Sequence, residues 1–206
     1  MTIYLDSSFK EEVVESSYTV LDAKSMTIKS GLKILLRAVK PQRFYIRQYY
    51  WSSSGGVEKP PIVKSGRDVN GTRRHKLLRP VVESTSGGRF AVVDLGRIIL
   101  PDETEEIEFE TFLISVNPKS PSHLGHVAKD GCEKIVLRAV VPKEIIRGRV
   151  LQRVWLPNAD DSSADLVAQV DSEPPEHVPD PRRWVSYTYS IDNPKPGNRY
   201  RLQWDH

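Results

Sequence analysis

Residues 33–41 read KILLRAVKP, and residues 134–142 read KIVLRAVVP. In the first stretch Ile34, Leu36 and Ala38 recur at every second position, a period that places them on one face of a β-strand. Similar alternating runs rich in Val, Ile, Tyr and Trp occur along the chain, between turns marked by 15 prolines and 12 glycines. Because no stretch keeps a helical period, the sequence predicts an all-β fold, an antiparallel β-sandwich.

The two stretches also indicate an internal repeat. They are identical at seven of nine positions, and each is preceded by a turn glycine and followed by a strand that ends in tryptophan. We expect Leu36 and Leu137 to occupy matching core positions. The predicted organisation is a single domain over residues 1–206, with pseudo-repeat A at about 13–116, a linker at about 117–130 and pseudo-repeat B at about 131–206. The alternative is two tandem immunoglobulin-like sandwiches.

The C-terminal segment predicts a β-hairpin. Apolar side chains alternate on two strands that flank NPKPGN at residues 193–198, a segment rich in turn-forming residues. These side chains are Val185, Tyr187, Tyr189 and Ile191 before the turn, and Tyr200, Leu202 and Trp204 after it. We expect the two strands to pair and their apolar faces to pack together in the core.

Composition places the chain among soluble globular proteins. It has 206 residues, with 30 Lys and Arg against 27 Asp and Glu, which gives a net charge of +3. No apolar run approaches the roughly 18 residues that span a bilayer, and the N-terminus lacks the apolar segment of a signal peptide. Cys132 is the single cysteine, so no internal disulfide can form and a reducing compartment is the simplest expectation. We therefore expect a cytoplasmic protein without a membrane partner.

Charge is segregated along the chain despite the small net value. Residues 64–79 contain six basic residues and one acid, whereas residues 102–110 contain six acids and no base. Such runs usually form solvated loops or strand faces, but a basic run also suits an anionic ligand or an acidic surface on a second copy of the protein. The candidate ligand-binding residues of the basic run are Arg67, Arg73, Arg74 and Lys76.

A second binding signal lies at residues 43–51, which read RFYIRQYYW. Basic and aromatic side chains occupy the odd positions, which share one face of a strand. If the even face, with Phe44 and Ile46, forms the core, the odd face exposes groups that hold phosphates and stack on bases, as in a nucleotide or single-stranded nucleic acid. The alternative is that arginine stems cover aromatic surface on an ordinary sheet. The candidate ligand-binding residues here are Arg43, Tyr45, Arg47, Tyr49 and Trp51.

Groups that could carry catalysis or hold a metal are few. His123, His126 and Cys132 lie close in sequence, but zinc usually takes four ligands and no fourth is evident. We interpret them as parts of a polar linker and a structural thiol. The chain has no GxSxG or Walker A motif. We therefore predict no catalytic residue, no metal and no cofactor, while an enzyme whose site is assembled from distant loops stays open.

The pattern NPKPGNRYRLQW at residues 193–204, together with the run from Phe44 through YYWSSSGG, resembles β-rich accessory modules attached to effector or regulatory domains in bacterial signalling and conflict proteins. Turn prolines and strand aromatics carry this resemblance, so it assigns no site residue. It implies a sensing or scaffolding role. The sequence thus favours a non-enzymatic module that binds a protein partner, a ligand or a second copy of itself, with nucleotide or nucleic-acid binding and an enzyme as the alternatives.

Overall fold

The computed structural model of the protein describes residues 8–22, 24, 27–49, 57–58, 61–64, 66, 70–71, 74–83, 89–114, 123–160, 163, 165–175, 178 and 181–204. Within these ranges the chain forms fourteen β-strands and one 3-10 helix, Lys143–Ile145. In the same ranges, no helix has the length and apolar composition that crossing a membrane requires. In chain order the strands are β1 (Phe9–Asp22), β2 (Thr27–Ala38), β3 (Gln42–Tyr49), β4 (Val57–Glu58), β5 (Ile62–Val63), β6 (Lys76–Glu83), β7 (Arg89–Ile99), β8 (Thr104–Ile114), β9 (His123–Val127), β10 (Lys134–Pro142), β11 (Val150–Trp155), β12 (Asp165–Gln169), β13 (Trp184–Asp192) and β14 (Arg199–Trp204).

The strands form one large sheet that is covered on one face by two smaller sheets. The large sheet has seven strands in the order β13-β10-β1-β2-β8-β4, with β5 also paired to β8. A four-stranded sheet runs β12-β11-β14-β9, and a three-stranded sheet runs β3-β7-β6. Ring contacts join the layers, because the Tyr18 centroid lies 5.5 Å from that of Trp204, and the Tyr45 centroid lies 6.5 Å from that of Phe109. This packing confirms the predicted all-β sandwich, although β1 and β10 pair in parallel.

Strand β1 lies at the centre of the large sheet and organises the core. Its Val14 is level with Ile34 of β2 and with Ile135 of β10, and all three side chains are completely buried. Burial of each such side chain stabilises the fold by about 1.5–3 kcal/mol. The alternating pattern that the sequence repeats on β2 and β10 therefore supplies the two strands that flank β1.

A β-bulge in β1 changes which of its side chains face the core. The register of β1 against β2 shifts between Glu11 and Val13, so Glu12 is an extra residue on β1. One extra residue reverses the alternation of the two faces. Glu11 therefore lies on the same inner face as Val14, and it is only 2% exposed.

The two repeated stretches lie on β2 and β10, on either side of β1. Leu36 and Leu137 are both fully buried, as the matching patterns led us to expect. The later strands of the two copies differ in their pairing. β7 belongs to the three-stranded sheet and its sequence counterpart β13 to the large sheet, whereas β8 belongs to the large sheet and its counterpart β14 to the four-stranded sheet. The tandem duplication stays a prediction, with this difference in strand order against it.

The predicted pairing of the last two strands is wrong. β13 pairs with β10 in the large sheet, whereas β14 pairs with β11 and β9 in the four-stranded sheet. The six residues between them are long enough to cross the roughly 10 Å that separates packed sheets. The apolar side chains still meet, but across the layers, since the ring centroids of Tyr189 and Tyr200 lie 6.4 Å apart. Each strand thus finds a different neighbour while both contribute to one core.

Part of the segment predicted as a linker is a strand. Its residues His123–Val127 form β9, which pairs with β14 at one edge of the four-stranded sheet. Residues 115–122 lie outside the described residues. The segment therefore contributes to the sandwich and, as shown below, to its cleft.

Replacing Trp204 tests whether β14 belongs to the core. The residue is 1% exposed, and removing a buried tryptophan side chain typically costs about 3–5 kcal/mol. We expect Trp204→Ala to lower the free energy of unfolding by that amount in urea denaturation. The half-buried neighbour Gln203 provides the matched control, and Gln203→Ala should cost less than about 1 kcal/mol. An unchanged unfolding midpoint for Trp204→Ala would show that β14 is dispensable.

Candidate functional site

A cleft with a volume of about 1020 Å³ lies where the two smaller sheets meet above the large one. Its walls come from β3 and β9, which are edge strands of the three-stranded and four-stranded sheets, and its floor comes from β1, β2 and β8. The lining combines apolar side chains with a small polar cluster. The members of this cluster, called the Glu11 cluster below, are Glu11, Tyr45, Arg47, His126 and Lys129.

A buried carboxylate holds the Glu11 cluster together. Oε1 of Glu11 accepts one hydrogen bond from the Tyr45 hydroxyl and one from the Lys129 ammonium, each at 2.6 Å. Arg47 Nη1 donates to the same oxygen at 3.2 Å and to the Tyr45 hydroxyl oxygen at 3.3 Å. Glu11 belongs to the large sheet, Tyr45 and Arg47 to the three-stranded sheet, and Lys129 to the segment that follows β9. One carboxylate oxygen therefore links the large sheet, the three-stranded sheet and the segment that follows β9.

Burial and neighbouring cations set the charge states of the cluster. Burial raises the pKa of Glu11, but the Arg47 and Lys129 cations and the hydrogen bonds outweigh it and lower this pKa to about 2. Burial lowers the pKa of His126 to about 4, and the Arg47 cation acts in the same direction. Burial also raises the pKa of the Tyr45 hydroxyl, which stays protonated and donates. Near neutral pH, an ionised carboxylate therefore lies beside a neutral imidazole.

The second oxygen of Glu11 faces the imidazole of His126 without a hydrogen bond. Glu11 Oε2 and His126 Nε2 are 3.9 Å apart, which exceeds hydrogen-bond distance. The two side chains are only 2% and 8% exposed. Neither atom has a hydrogen-bond partner among the residues that the structure describes. Because buried polar atoms are nearly always paired, these two atoms are exceptional within the Glu11 cluster.

The predicted ligand-binding strand is β3, but its faces are reversed. Tyr45, expected on an exposed face, is 4% exposed, whereas Phe44, expected in the core, is 39% exposed. The face that carries the odd-numbered residues turns inward because β3 packs on the large sheet. On this face, Tyr45 is level with Val93 of β7, which is also buried. Arg43, next to the irregularity at the start of β3, stays on the surface and donates two hydrogen bonds to Asp94.

The structure brings only some of the five predicted ligand-binding residues of this segment to the cleft. Tyr45 and Arg47 line the cleft, and the Arg47 side chain is only 16% exposed. Arg43 contacts Asp94 at the surface and does not line the cleft. The Tyr49 side chain and Trp51 lie outside the described residues. The sequence thus identified two cleft residues, but on a face expected to be open to solvent.

The predicted basic run is paired with the acidic run. Arg74 and His75 contact Glu105, and Lys64 contacts Glu110. Burial raises the pKa of both carboxylates, but their basic partners outweigh it and lower each pKa below its ordinary value. None of the described residues of the basic run lines the cleft. Of the other predicted residues, Lys76 is exposed, and Arg67 and Arg73 lie outside the described residues.

The single thiol lies in the core and does not line the cleft. Cys132 is 8% exposed, and its Sγ lies 3.5 Å from the carbonyl oxygen of Lys134 and 3.7 Å from that of Glu12. Burial raises its pKa, which keeps the thiol protonated. His123 and His126 line the cleft instead. Across the described ranges, no group of three or more His, Cys, Asp or Glu residues is arranged to hold a metal ion.

Sequence analysis missed Glu11 and Lys129 and assigned His126 to a linker. The one local signal for Glu11 is the sequence EEVV at residues 11–14, where two acids precede two valines and interrupt the alternation. Such an interruption is what a β-bulge requires, because two successive residues then oppose one residue of the neighbouring strand. Nothing local to Lys129 or His126 distinguishes them from solvated residues of a polar loop.

Arg47 and Arg43 lie on the same strand in opposite environments, and their side chains are 16% and 49% exposed. Removing one partner of a buried charge pair typically costs about 3–5 kcal/mol, whereas an exposed pair contributes about 0–1 kcal/mol. We expect Arg47→Gln to lower the free energy of unfolding by about 3 kcal/mol, because Glu11 loses a buried partner, and Arg43→Gln to lower it by less than about 1 kcal/mol. Equal losses for both variants in urea denaturation would contradict the buried cluster.

The neutral His126 should make the fold sensitive to mild acid. Its pKa is about 4 in the fold against an ordinary value of 6.5, so between these pH values the unfolded chain binds the proton more readily. Stability should therefore fall by up to about 3 kcal/mol as the pH decreases from about 7 to about 4. Glu11, with a pKa of about 2 against 4.5, adds a further loss as the pH falls below that ordinary value.

The variant His126→Gln cannot take up this proton and should show a flatter dependence of stability on pH between about 7 and 4. The measurement is a series of urea denaturation curves across this pH range. The loss at lower pH that Glu11 causes should persist in the variant. An identical slope in both proteins between about pH 7 and 4 would show that another group is responsible.

No protein-family model matches the chain, and none of the curated proteins matches it in sequence. Solved structures do match its fold. An M1 zinc metallopeptidase from Deinococcus radiodurans matches with 10% identity and a TM-score of 0.50, over 96% of this chain and 43% of that one. Two-domain M1 zinc metallopeptidase variants bound to L-tryptophan and to L-arginine match over the same shares, with TM-scores of 0.51 and identities of 9% and 10%. The chain thus spans less than half the length of these peptidases, and at this identity it shares with part of them the fold alone.

Proposed function

We propose that this chain is a non-enzymatic binding module whose cleft holds a small amphipathic molecule. The observation that carries the proposal is the Glu11–His126 pair, two buried polar atoms without hydrogen-bond partners among the described residues. The pair lines a cleft of about 1020 Å³. Ligand sites are typically concave and mostly apolar, with a few converging polar groups. The cleft combines these features.

The apolar part of such a molecule has a fixed surface to contact. Phe9, Leu32, Phe109 and Leu124 line the cleft and pack on the hydrophobic core. The Phe9 ring meets the Tyr45 ring edge-on, with centroids 6.1 Å apart. Because neighbouring side chains already hold these rings in place, binding costs little additional side-chain entropy. An aromatic or aliphatic group would therefore gain buried area without reorganising the floor.

The charged groups around the cleft are predominantly basic. A basic lining raises the local concentration of neutral and anionic molecules relative to cations. This balance supports a ligand that is uncharged, or that carries negative charge near the rim. The lining contains five basic residues, Lys10, Arg47, Lys129, Arg199 and Arg201, and two acidic residues, Glu11 and Asp130.

The chemistry of the polar cluster favours binding over catalysis. A general acid or base works best when its pKa lies near the working pH, whereas the pKa of Glu11 is about 2 and that of His126 is about 4. The sequence contains no HExxH pattern, in which two histidines of one helix bind zinc and the glutamate acts as base. The likeness to zinc peptidases therefore supports a shared scaffold for this chain rather than a shared reaction.

The burial of Tyr45 argues against the hypothesis that a nucleotide or single-stranded nucleic acid binds along β3. That hypothesis needs aromatic rings free to stack on bases, and Tyr45 is buried. The role that the sequence resemblance implies, sensing or scaffolding for a protein partner in the bacterial cytoplasm, belongs to the proposal. In such a role, occupancy of the cleft would be the signal that the module reports.

Filling the cleft tests the proposal. Ser30 lies on the cleft floor, and Lys33 lies on the opposite face of the same strand. Ser30→Trp should occupy the space that a ligand needs, whereas Lys33→Trp should leave it open. We expect Ser30→Trp to weaken the binding of acetophenone and benzamide by at least about tenfold in NMR titrations of the isotope-labelled chain. Lys33→Trp should bind both probes as the original chain does.

Two outcomes would contradict this proposal. Unchanged affinity in Ser30→Trp would place the bound probe elsewhere on the protein. Failure of the original chain to bind either probe would show that the cleft is not a site for small aromatic molecules.

A further inference from the structure

We propose that the buried end of the cleft selects an uncharged hydrogen-bond donor, a carboxamide or a hydroxyl group, that bridges Glu11 and His126. This inference rests on the proposed function and deepens it by naming the polar group of the ligand. It is carried by the 3.9 Å distance between Glu11 Oε2 and His126 Nε2 and by the burial of both atoms without a partner in the described part of the chain.

The spacing of the two atoms suits a single bridging group. Hydrogen bonds of about 2.8 Å from one ligand atom can reach both Glu11 Oε2 and His126 Nε2, because the sum of two such bonds exceeds their separation. A primary carboxamide carries two N–H donors and one carbonyl acceptor. One N–H can donate to Glu11, while the second N–H or the carbonyl serves His126 in either of its neutral forms. A hydroxyl group likewise donates to Glu11 and can accept from His126.

An anionic group does not fit this position. A carboxylate or phosphate has only acceptor oxygens, so Glu11 Oε2 would stay without a donor. The basic residues of the rim can attract an anion, but they do not change the requirement for a donor at the buried end.

A cationic group is disfavoured for a different reason, the positive charge already present around Glu11. An ammonium could donate to both Glu11 and His126, but Glu11 Oε1 is already contacted by the Arg47 and Lys129 cations, at 3.2 Å and 2.6 Å. These two cations exceed the single charge of Glu11, and the neutral His126 adds no negative charge. A third cation would therefore experience net repulsion. An uncharged donor satisfies Glu11 Oε2 without this cost.

Four probes that share a phenyl ring separate these possibilities. Benzamide carries the uncharged donor, acetophenone replaces its amide nitrogen with a methyl group, and benzoate and benzamidinium supply the two charges. Leaving a buried polar group unpaired costs about 1–3 kcal/mol. In NMR titrations of the full chain we therefore expect benzamide to bind at least about tenfold more tightly than each of the other three.

A variant tests the role of His126 in this preference. His126→Phe keeps a ring of similar size and removes the nitrogen that faces Glu11. We expect the preference for benzamide over acetophenone to fall several-fold in this variant. His123 lies on the same strand and lines the same cleft, so His123→Phe is the matched control. Any change that it makes in affinity should be the same for benzamide and acetophenone.

The outcomes distinguish this inference from the function on which it rests. Binding of benzoate, benzamidinium or acetophenone as tightly as benzamide would overturn the selection of an uncharged donor while leaving the cleft as a binding site. An equal loss of preference in His126→Phe and His123→Phe would overturn the bridging position. If none of the four probes binds, the proposed function itself is wrong.

Discussion

A carboxylate that leaves water needs close partners of opposite charge or strong hydrogen-bond donors, and Glu11 has them on β3 and in the segment that follows β9. Tyr45 and Arg47 approach it from the three-stranded sheet, and Lys129 approaches it from the end of β9. Apolar contacts between the sheets are not directional, so they tolerate sliding. The hydrogen bonds to Glu11 are directional, and they join β3 and the segment that follows β9 to β1. The pairing of one buried charge therefore connects parts of the fold that surround the cleft.

The same requirement explains what happens to the charge runs. Segments that look like separate basic and acidic surfaces in the sequence neutralise each other in the fold, because Arg74 contacts Glu105 and Lys64 contacts Glu110. Both carboxylates are largely buried, so each needs its partner. Basic residues also outnumber acidic residues in the lining of the cleft, by five to two.

The likeness to M1 zinc metallopeptidases concerns the scaffold. At about 10% identity over 96% of this chain, the arrangement of strands is shared while few side chains are. A fold can host unrelated sites, so function must be argued from the residues of the site. Here those residues are Glu11 and His126, and the proposed receptor for a polar group rests on their burial, their charge states and their missing hydrogen bonds.

The alternation of apolar and polar residues was enough to predict the fold class and much of the core. A period of two is a local property of each strand, so the patterns of β2 and β10 predicted that Leu36 and Leu137 are buried, and Trp204 was expected in the core for the same reason. Which face of β3 turns inward depends on tertiary structure, because tyrosine and arginine suit either face of a strand. The layer packed against β3 determines the inward face. Tertiary structure also determines the bulge that turns Glu11 inward. One extra residue moves the following side chains to the opposite face of the strand without changing the strand's composition. Glu11 and His126 lie more than half the chain apart, and residues so distant become neighbours only when β9 and β1 are brought together by the packing of two sheets.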